Sequence, residues 1–233
     1  MNQSNPLVSV IIPAYNCQRY VEEAIHSLLA QTYTSTEIIV IDDGSTDATA
    51  DAVKHYVPPV KYAFQPNGGP DSARNHGIDL ARGSFFAFLD ADDLWVRDKL
   101  ALQLDAFTKD PNLDAVFGHI EQFISAELNE NLRSRIMMRP GPMPGYTFES
   151  MLVRRDSFFE VGKFNTDHTL GAFLDWHARA QEKGLKSLML PDIVASRRIH
   201  SDNLGIRRAN AQSDYLRLLK GILDRRRSID YGK

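Results

Sequence analysis

The stretch FFAFLDADDLW (85–95) places Asp90, Asp92 and Asp93 directly after an apolar run. Carboxylates crowded this closely resist joint ionisation unless a cation or hydrogen-bond donors compensate. A single Asp here would read as a helix N-cap. Three in four positions read better as an oxygen-rich site for a hard divalent cation. Two other polar turns also follow apolar runs: Asp42-Asp43-Gly44-Ser45 after EIIVI, and Asn67-Gly68-Gly69 within QPNGGPD. Each has an ordinary explanation, an Asx-turn with a helix cap for the first and a positive-φ turn for the second. Their chemical readings are a carboxylate that accepts from a nucleobase or ribose, and backbone N–H groups offered to a phosphate. Neither is a Walker loop or a GxGxxG.

The elements around these turns dictate where they meet. Short apolar, β-branched runs at 7–12, 37–41, 60–64 and 85–89 read as strands buried on both faces, the first ended by Pro13. Between them, Val21, Ala24, Ile25, Leu28 and Leu29 share one helical face. A second helix is capped by Thr46 or Asp47 and runs through Val53, and a third spans 72–81. This alternation predicts an α/β chain with a mostly parallel, Rossmann-like sheet and flanking helices. Ligands of such sheets bind beyond the carboxyl ends of the strands. Pro13 to Asn16, Asp42-Asp43, Asn67 to Gly69 and Asp90 to Asp93 should therefore gather along one edge.

After Pro111 the pattern changes. A strand is expected at 115–123, then a long polar loop over 129–144, of a length that usually serves as a lid or binding loop. Helical spacing resumes over 146–153, and a helix over 170–183 ends at Gly184. Two short strands at 187–190 and 193–195 precede an amphipathic helix over 209–227, where arginines oppose Tyr215, Leu216, Leu219 and Ile222. The expected division is a domain of 1–205, with halves 1–110 and 111–205, and a helical extension of 206–233.

Of 233 residues, 43% are hydrophobic and 24% charged, as in ordinary folded domains. A net charge of -3 gives no general case for nucleic acid. The basic residues cluster late, so the C-terminal end is left with a peripheral membrane contact as one reading and a solvated helix face as the other. A lone cysteine, Cys17, excludes an internal disulfide framework and fits a reducing compartment. Residues 1–6 are polar and no apolar run nears the roughly 20 residues of a membrane span, so the expected location is the cytoplasm.

Together, VSVIIPAYN, EIIVIDDGSTDAT, NGGPDSARNHG and FFAFLDADD, in that order, resemble family 2 glycosyltransferases of the GT-A fold. The match is close over about the first hundred residues and looser to His200. The resemblance implies transfer of a hexose or N-acetylhexosamine from a nucleoside-diphosphate sugar, with UDP expected, by inversion and with Mn²⁺ or Mg²⁺. It places Pro13, Tyr15 and Asp43 at the nucleoside, and Gly69 and Arg74 near ribose or phosphate. Asp90 and Asp92 form the family's DxD with Asp93 adjacent, and His200 matches a late His facing the metal or diphosphate. Arg198, and Arg197 beside it, would contact the diphosphate. The acceptor, whether glycan, lipid-linked or small molecule, is left open, with 129–146 as the expected acceptor loop.

One position departs from the pattern. Relatives carry Glu-Asp ahead of a helix reading DLWLR, and that Asp deprotonates the acceptor. Aligned on Arg179, this chain has Ala172 and Phe173 there, followed by Asp175 in LDWHARA. Asp175 takes over as base, or it caps or packs the helix, or the motif alignment slips locally; Asp167 and His168 are next in line. Two competing functions are a non-catalytic nucleotide-sugar-binding module and a HAD-like phosphotransferase, whose nucleophile is also a strand-terminal DxD.

Overall fold

The computed structural model describes residues 5–128, 138, 141–167, 171–201, 203 and 212–231. Strand β1 (Val8–Ala14) pairs in parallel with β2 (Thr36–Asp42) and with β4 (Phe85–Phe88), and β2 pairs in parallel with β3 (Lys61–Phe64). The first half is the expected parallel sheet. β1 runs through Pro13 to Ala14. Ile11 faces β4, its carbonyl accepting from the Leu89 amide, while Ala14 faces β2. By alternation Pro13 faces the β4 side, beyond the last β4 pairing at Ile11↔Phe88, so its missing N–H interrupts no ladder.

Alternation also splits the core. Val8, Val10 and Ile12 enter the layer packed with α1 (Val21–Leu29), whereas Ile11, Ile39, Ile41, Phe86 and Phe88 enter the layer beneath α3 (Pro70–Leu80). α3 sits close to β1: a Cβ on Gly77 would lie 2.4 Å from Ile11 Cγ2. Helix α2 (Thr49–Lys54) starts where Asp47 Oδ1 accepts the Thr49 amide.

The second half is mixed. β5 (Leu94–Trp95), α4 (Lys99–Lys109) and β6 (Ala115–Ile124) follow the acidic turn, then β7 (Met143–Pro144) and β8 (Leu152–Arg154). The sheet order is β3-β2-β1-β4-β8-β6-β9-β5, with β7 on β6. β8 is antiparallel to both β4 and β6, whereas β6 and β9 (Ser187–Ile199) are parallel. Helical spacing over 146–153 is therefore overturned. Leu152 and Val153 are fully buried between two strands, and pairing decides a run too short for periodicity to assign. Helix α5 (Arg155–Val161) follows.

The two short strands expected after Gly184 are one. Between Phe117↔Met189 and His119↔Ile193 the register slips, and the extra residues absorb Pro191 as a bulge. Helix α6 (Ala172–Glu182) fills the helix expected at 170–183. α7 (Gln212–Tyr231) packs Leu218 and Ile222 against Ala178 of α6. His168, most of the loop at 129–140 and residues 204–211 lie outside the described residues. Among those described, no helix is long and apolar enough to cross a membrane.

Candidate active site

The acidic turn leaves the buried end of β4 and is caught at once by β9. Asp93 N–H donates to the Asp90 carbonyl at 3.0 Å, and Leu94 and Trp95 then pair antiparallel with Ser196 and Ala195. Carboxylate oxygens of Asp90, Asp92 and Asp93 all lie within 4.8 Å of one another. An all-oxygen, all-carboxylate set of this size matches the preference of hard cations such as Mn²⁺ or Mg²⁺. Asp93 is 3% exposed and accepts the Arg198 amide at 2.8 Å. Burial, then the charges of Asp92, Glu149 and Asp90, push its carboxyl well above the usual range. A dication among these groups would remove that penalty.

Of the three, His200 touches Asp92. Its Nε2 lies 2.8 Å from Asp92 Oδ2, and Asn203 Nδ2 donates to the same oxygen at 3.1 Å. Asn203 is itself fixed, accepting the His200 amide at 2.7 Å. His200, expected as a metal ligand, is not in the converging set but braces one oxygen of a member of it.

Arg74 joins the glycine turn to the acids. Its guanidinium bonds Asp71 at 2.6 Å and Asp90, and lies 3.7 Å above the Phe148 ring. The Nε of Arg74 is buried with no partner among the described residues. The sequence placed Arg74 near ribose or phosphate; in the fold two carboxylates occupy it.

The glycine turn itself faces inward. Asp43 Oδ1 accepts from Gly68 N at 2.9 Å and Gln65 Nε2 at 2.7 Å, and Oδ2 accepts from Gly69 N at 2.8 Å. Gly69, at φ 87°, is the N-cap of α3, so Asp43 sits where a helix N-terminus favours an anion. The amides read as phosphate donors are engaged by a carboxylate of the chain. Asp42 is buried likewise, bonded by Ser45 N and the Tyr62 hydroxyl, both at 2.8 Å. Pro13 is buried and Tyr15 is 48% exposed at the end of β1.

An open cleft of about 300 Å³ adjoins the acids, walled by Asp71, Arg74, Asp90, Phe148, Glu149 and Arg197, with Tyr146 at its side. The residues from Gly171 to Leu174 complete it. Pro13, Tyr15, Asp43 and Gly69 are not in its wall. Arg198 is not either. Successive β9 residues point to opposite faces, so Arg197 reaches the cleft while Arg198 turns inward. Arg198 bonds the Asp92 carbonyl at 2.9 Å and Glu23 at 2.6 Å between the rings of Tyr20 and Phe123.

Asp175 also lies off the cleft. It is 4% exposed and pairs with Arg179 at 2.9 Å and with Arg225 of α7 at 3.0 Å. Of the readings left open for it, the packing one agrees with this placement. Ala172 and Phe173 do line the cleft, Phe173 stacking on His177 at 5.7 Å, so the cleft wall is apolar at the two positions where the resemblance implied acids. Glu149, which no motif marks, is a cleft carboxylate that the sequence did not reveal. Its signal would have been the topology: β8 runs antiparallel to β4 and returns the preceding residues to the acidic end of that strand.

Comparison with known proteins agrees with this geometry. A family model described as glycosyl transferase family 2 matches residues 9–168. An uncharacterized glycosyltransferase of Rickettsia typhi is 44% identical over 115 residues, covering 49% of this chain and 36% of that protein. The chain spans well under half the length of the curated relatives it matches. TarS of S. aureus is similar with a TM-score of 0.69 at 20% identity, over 92% of this chain and 64% of that one, and TarS has also been crystallised with UDP-GlcNAc. The mannosyltransferase PcManGT of Pyrobaculum calidifontis, in complex with GDP-Man and Mn²⁺, gives 0.70 at 22% identity over 95% and 65%. These likenesses show the GT-A fold. Matched by the family model over more than half its length, the chain belongs to glycosyl transferase family 2.

Proposed function

We propose that this chain transfers a sugar from a nucleoside-diphosphate sugar, with UDP as the expected nucleotide, to an acceptor hydroxyl in the cleft, with inversion. The observation that carries the reading is the placement of Asp90, which belongs both to the acidic cluster and to the cleft wall. Asp90 and Asp92 would hold Mn²⁺ or Mg²⁺, with Asp93 behind them. When bound, such an ion offsets the charge that develops on the departing diphosphate. His200 and Asn203 aim Asp92, Arg74 fixes Asp90, and Arg197 adds positive charge beside them. Pro13, Tyr15 and Asp43 frame the nucleoside end. Phe148 and Phe173 offer aromatic faces to an acceptor, which is a glycan, a lipid-linked sugar or a small molecule.

The placement of Asp175 and the apolar pair Ala172-Phe173 favour one alternative, a module that binds the donor without transferring it. The phosphotransferase reading falls away with the family membership. Calorimetry with UDP, UDP-GlcNAc and GDP-mannose, with Mn²⁺ or with chelator, tests the proposal. A donor at a hundred times its Kd should add about 2.7 kcal/mol of stability in the presence of the metal. No binding by any nucleotide in Mn²⁺ would overturn it. Binding without release of nucleotide would support the module.

A further inference from the structure

We propose that Glu149 is the carboxylate that takes the proton from the attacking hydroxyl, an inference that rests on the transfer reading above. Among the described residues three acids line the cleft: Asp71, Asp90 and Glu149. Asp71 is paired with Arg74, and Asp90 is paired with Arg74 and belongs to the acidic cluster. Glu149 is 4% exposed and forms no ion pair among the described residues, although the charge of Arg197 acts on it. The two positions at which relatives carry their acids are Ala172 and Phe173, and Asp175 is held elsewhere by two arginines.

The fold invests in the placement of this residue. Trp95 Nε1 donates to the Glu149 carbonyl at 2.9 Å. Lys99 Nζ and Gln103 Nε2 donate to the adjacent Ser150 carbonyl at 3.1 and 2.7 Å. Both of these side chains are completely buried. A fully buried lysine is costly unless it is well bonded. Here its bonds, with those of Trp95 and Gln103, pin the peptide that presents Glu149 beside Asp90. β5 and α4 thus act together to position a side chain on the loop before β8.

The step is simple. The acceptor O–H proton passes to a Glu149 oxygen while the acceptor oxygen bonds the anomeric carbon. The anomeric C–O bond to the diphosphate breaks, and its electron pair leaves on the nucleoside diphosphate. A base must lie within hydrogen-bond reach of the hydroxyl; Glu149 and Asp175 are equally buried, at 4% exposure, but only Glu149 belongs to the cleft wall.

The test uses the full chain with Mn²⁺, UDP-GlcNAc and GDP-mannose, and measures nucleotide affinity together with nucleotide release when water is the acceptor. Glu149→Gln should keep donor and nucleotide affinities within about threefold and lower the release rate by about 10²–10⁴-fold. If that variant does not fold, Glu149→Asp carries the test, because a shortened base should lose rate at unchanged affinity. Wild-type release rates in Glu149→Gln would overturn the proposal alone. So would a loss of sugar-nucleotide affinity with UDP affinity intact, since Glu149 would then contact the donor sugar. A wild-type chain that binds no nucleotide, or binds donor and releases nothing, overturns the transfer reading and this proposal with it.

Discussion

His200 Nε2 lies 2.8 Å from Asp92 Oδ2, although 108 residues separate them. Asn203 shares the same oxygen, so one lone-pair side of Asp92 is fixed from the end of β9. Two donors from a distant segment orient a carboxylate at the tip of β4, in the manner of outer-shell partners at metal centres.

If Asp92 holds a cation, Asp92→Asn should weaken Mn²⁺-dependent UDP binding by about 100-fold while the fold persists, because the charge is lost and the shape kept. Asn203→Ala should weaken it by about tenfold, within the range expected for orienting groups. Calorimetry reads both. Unchanged UDP binding in Asp92→Asn would remove the metal role from this turn.

Asp43 holds three donors of the glycine turn, so Asp43→Ala should act first on stability. Leaving Gly68 N–H, Gly69 N–H and Gln65 without their acceptor should cost about 2–3 kcal/mol, or about 5–10 °C in Tm. Affinity for uridine and guanosine nucleotides should fall alike. A selective loss of uridine binding at unchanged Tm would instead assign Asp43 to the base.

Asp175→Asn weakens two ion pairs, one within α6 to Arg179 and one, partly exposed, that ties α7 to α6 through Arg225. About 1–2 kcal/mol of stability should be lost, less than for a fully buried pair. Donor affinity and nucleotide release should be retained. A 100-fold fall in release without thermal destabilisation would return Asp175 to the mechanism.

Glu37 supplies a pH dependence. It is buried, and burial alone would raise its pKa, but Lys61 at 2.6 Å, Ser9 at 2.5 Å and the Arg82 amide at 2.6 Å outweigh that and hold it below the usual carboxylate value. A lowered folded pKa means stability that is present above the unfolded value and lost as pH falls through the folded one. Tm should therefore fall below about pH 4.5. In Glu37→Gln it should start lower at neutral pH and fall less on acidification. Parallel Tm curves for the two proteins would rule this out.

The acidic turn, the glycine turn and the four-strand parallel half were legible in the sequence. Each rests on local chemistry: β-branched runs fit strands buried on two faces, and Gly69 satisfies a positive φ that other residues resist. What the sequence could not show were contacts made across the sheet. Residues 146–153 have helical spacing, yet β4 and β6 recruit Leu152 and Val153 as a strand between them. Arg197 and Arg198 look equivalent until the pleat of β9 sends one to the cleft and the other inward. Asp43 reads as a base contact in the sequence, and only the fold shows that its oxygens also hold Gly68, Gly69 and Gln65. Glu149 reads as nothing until the antiparallel return of β8 sets it beside Asp90. Local propensity determined which segments carry the chemistry; pairing register and strand direction decided which side chains share the site.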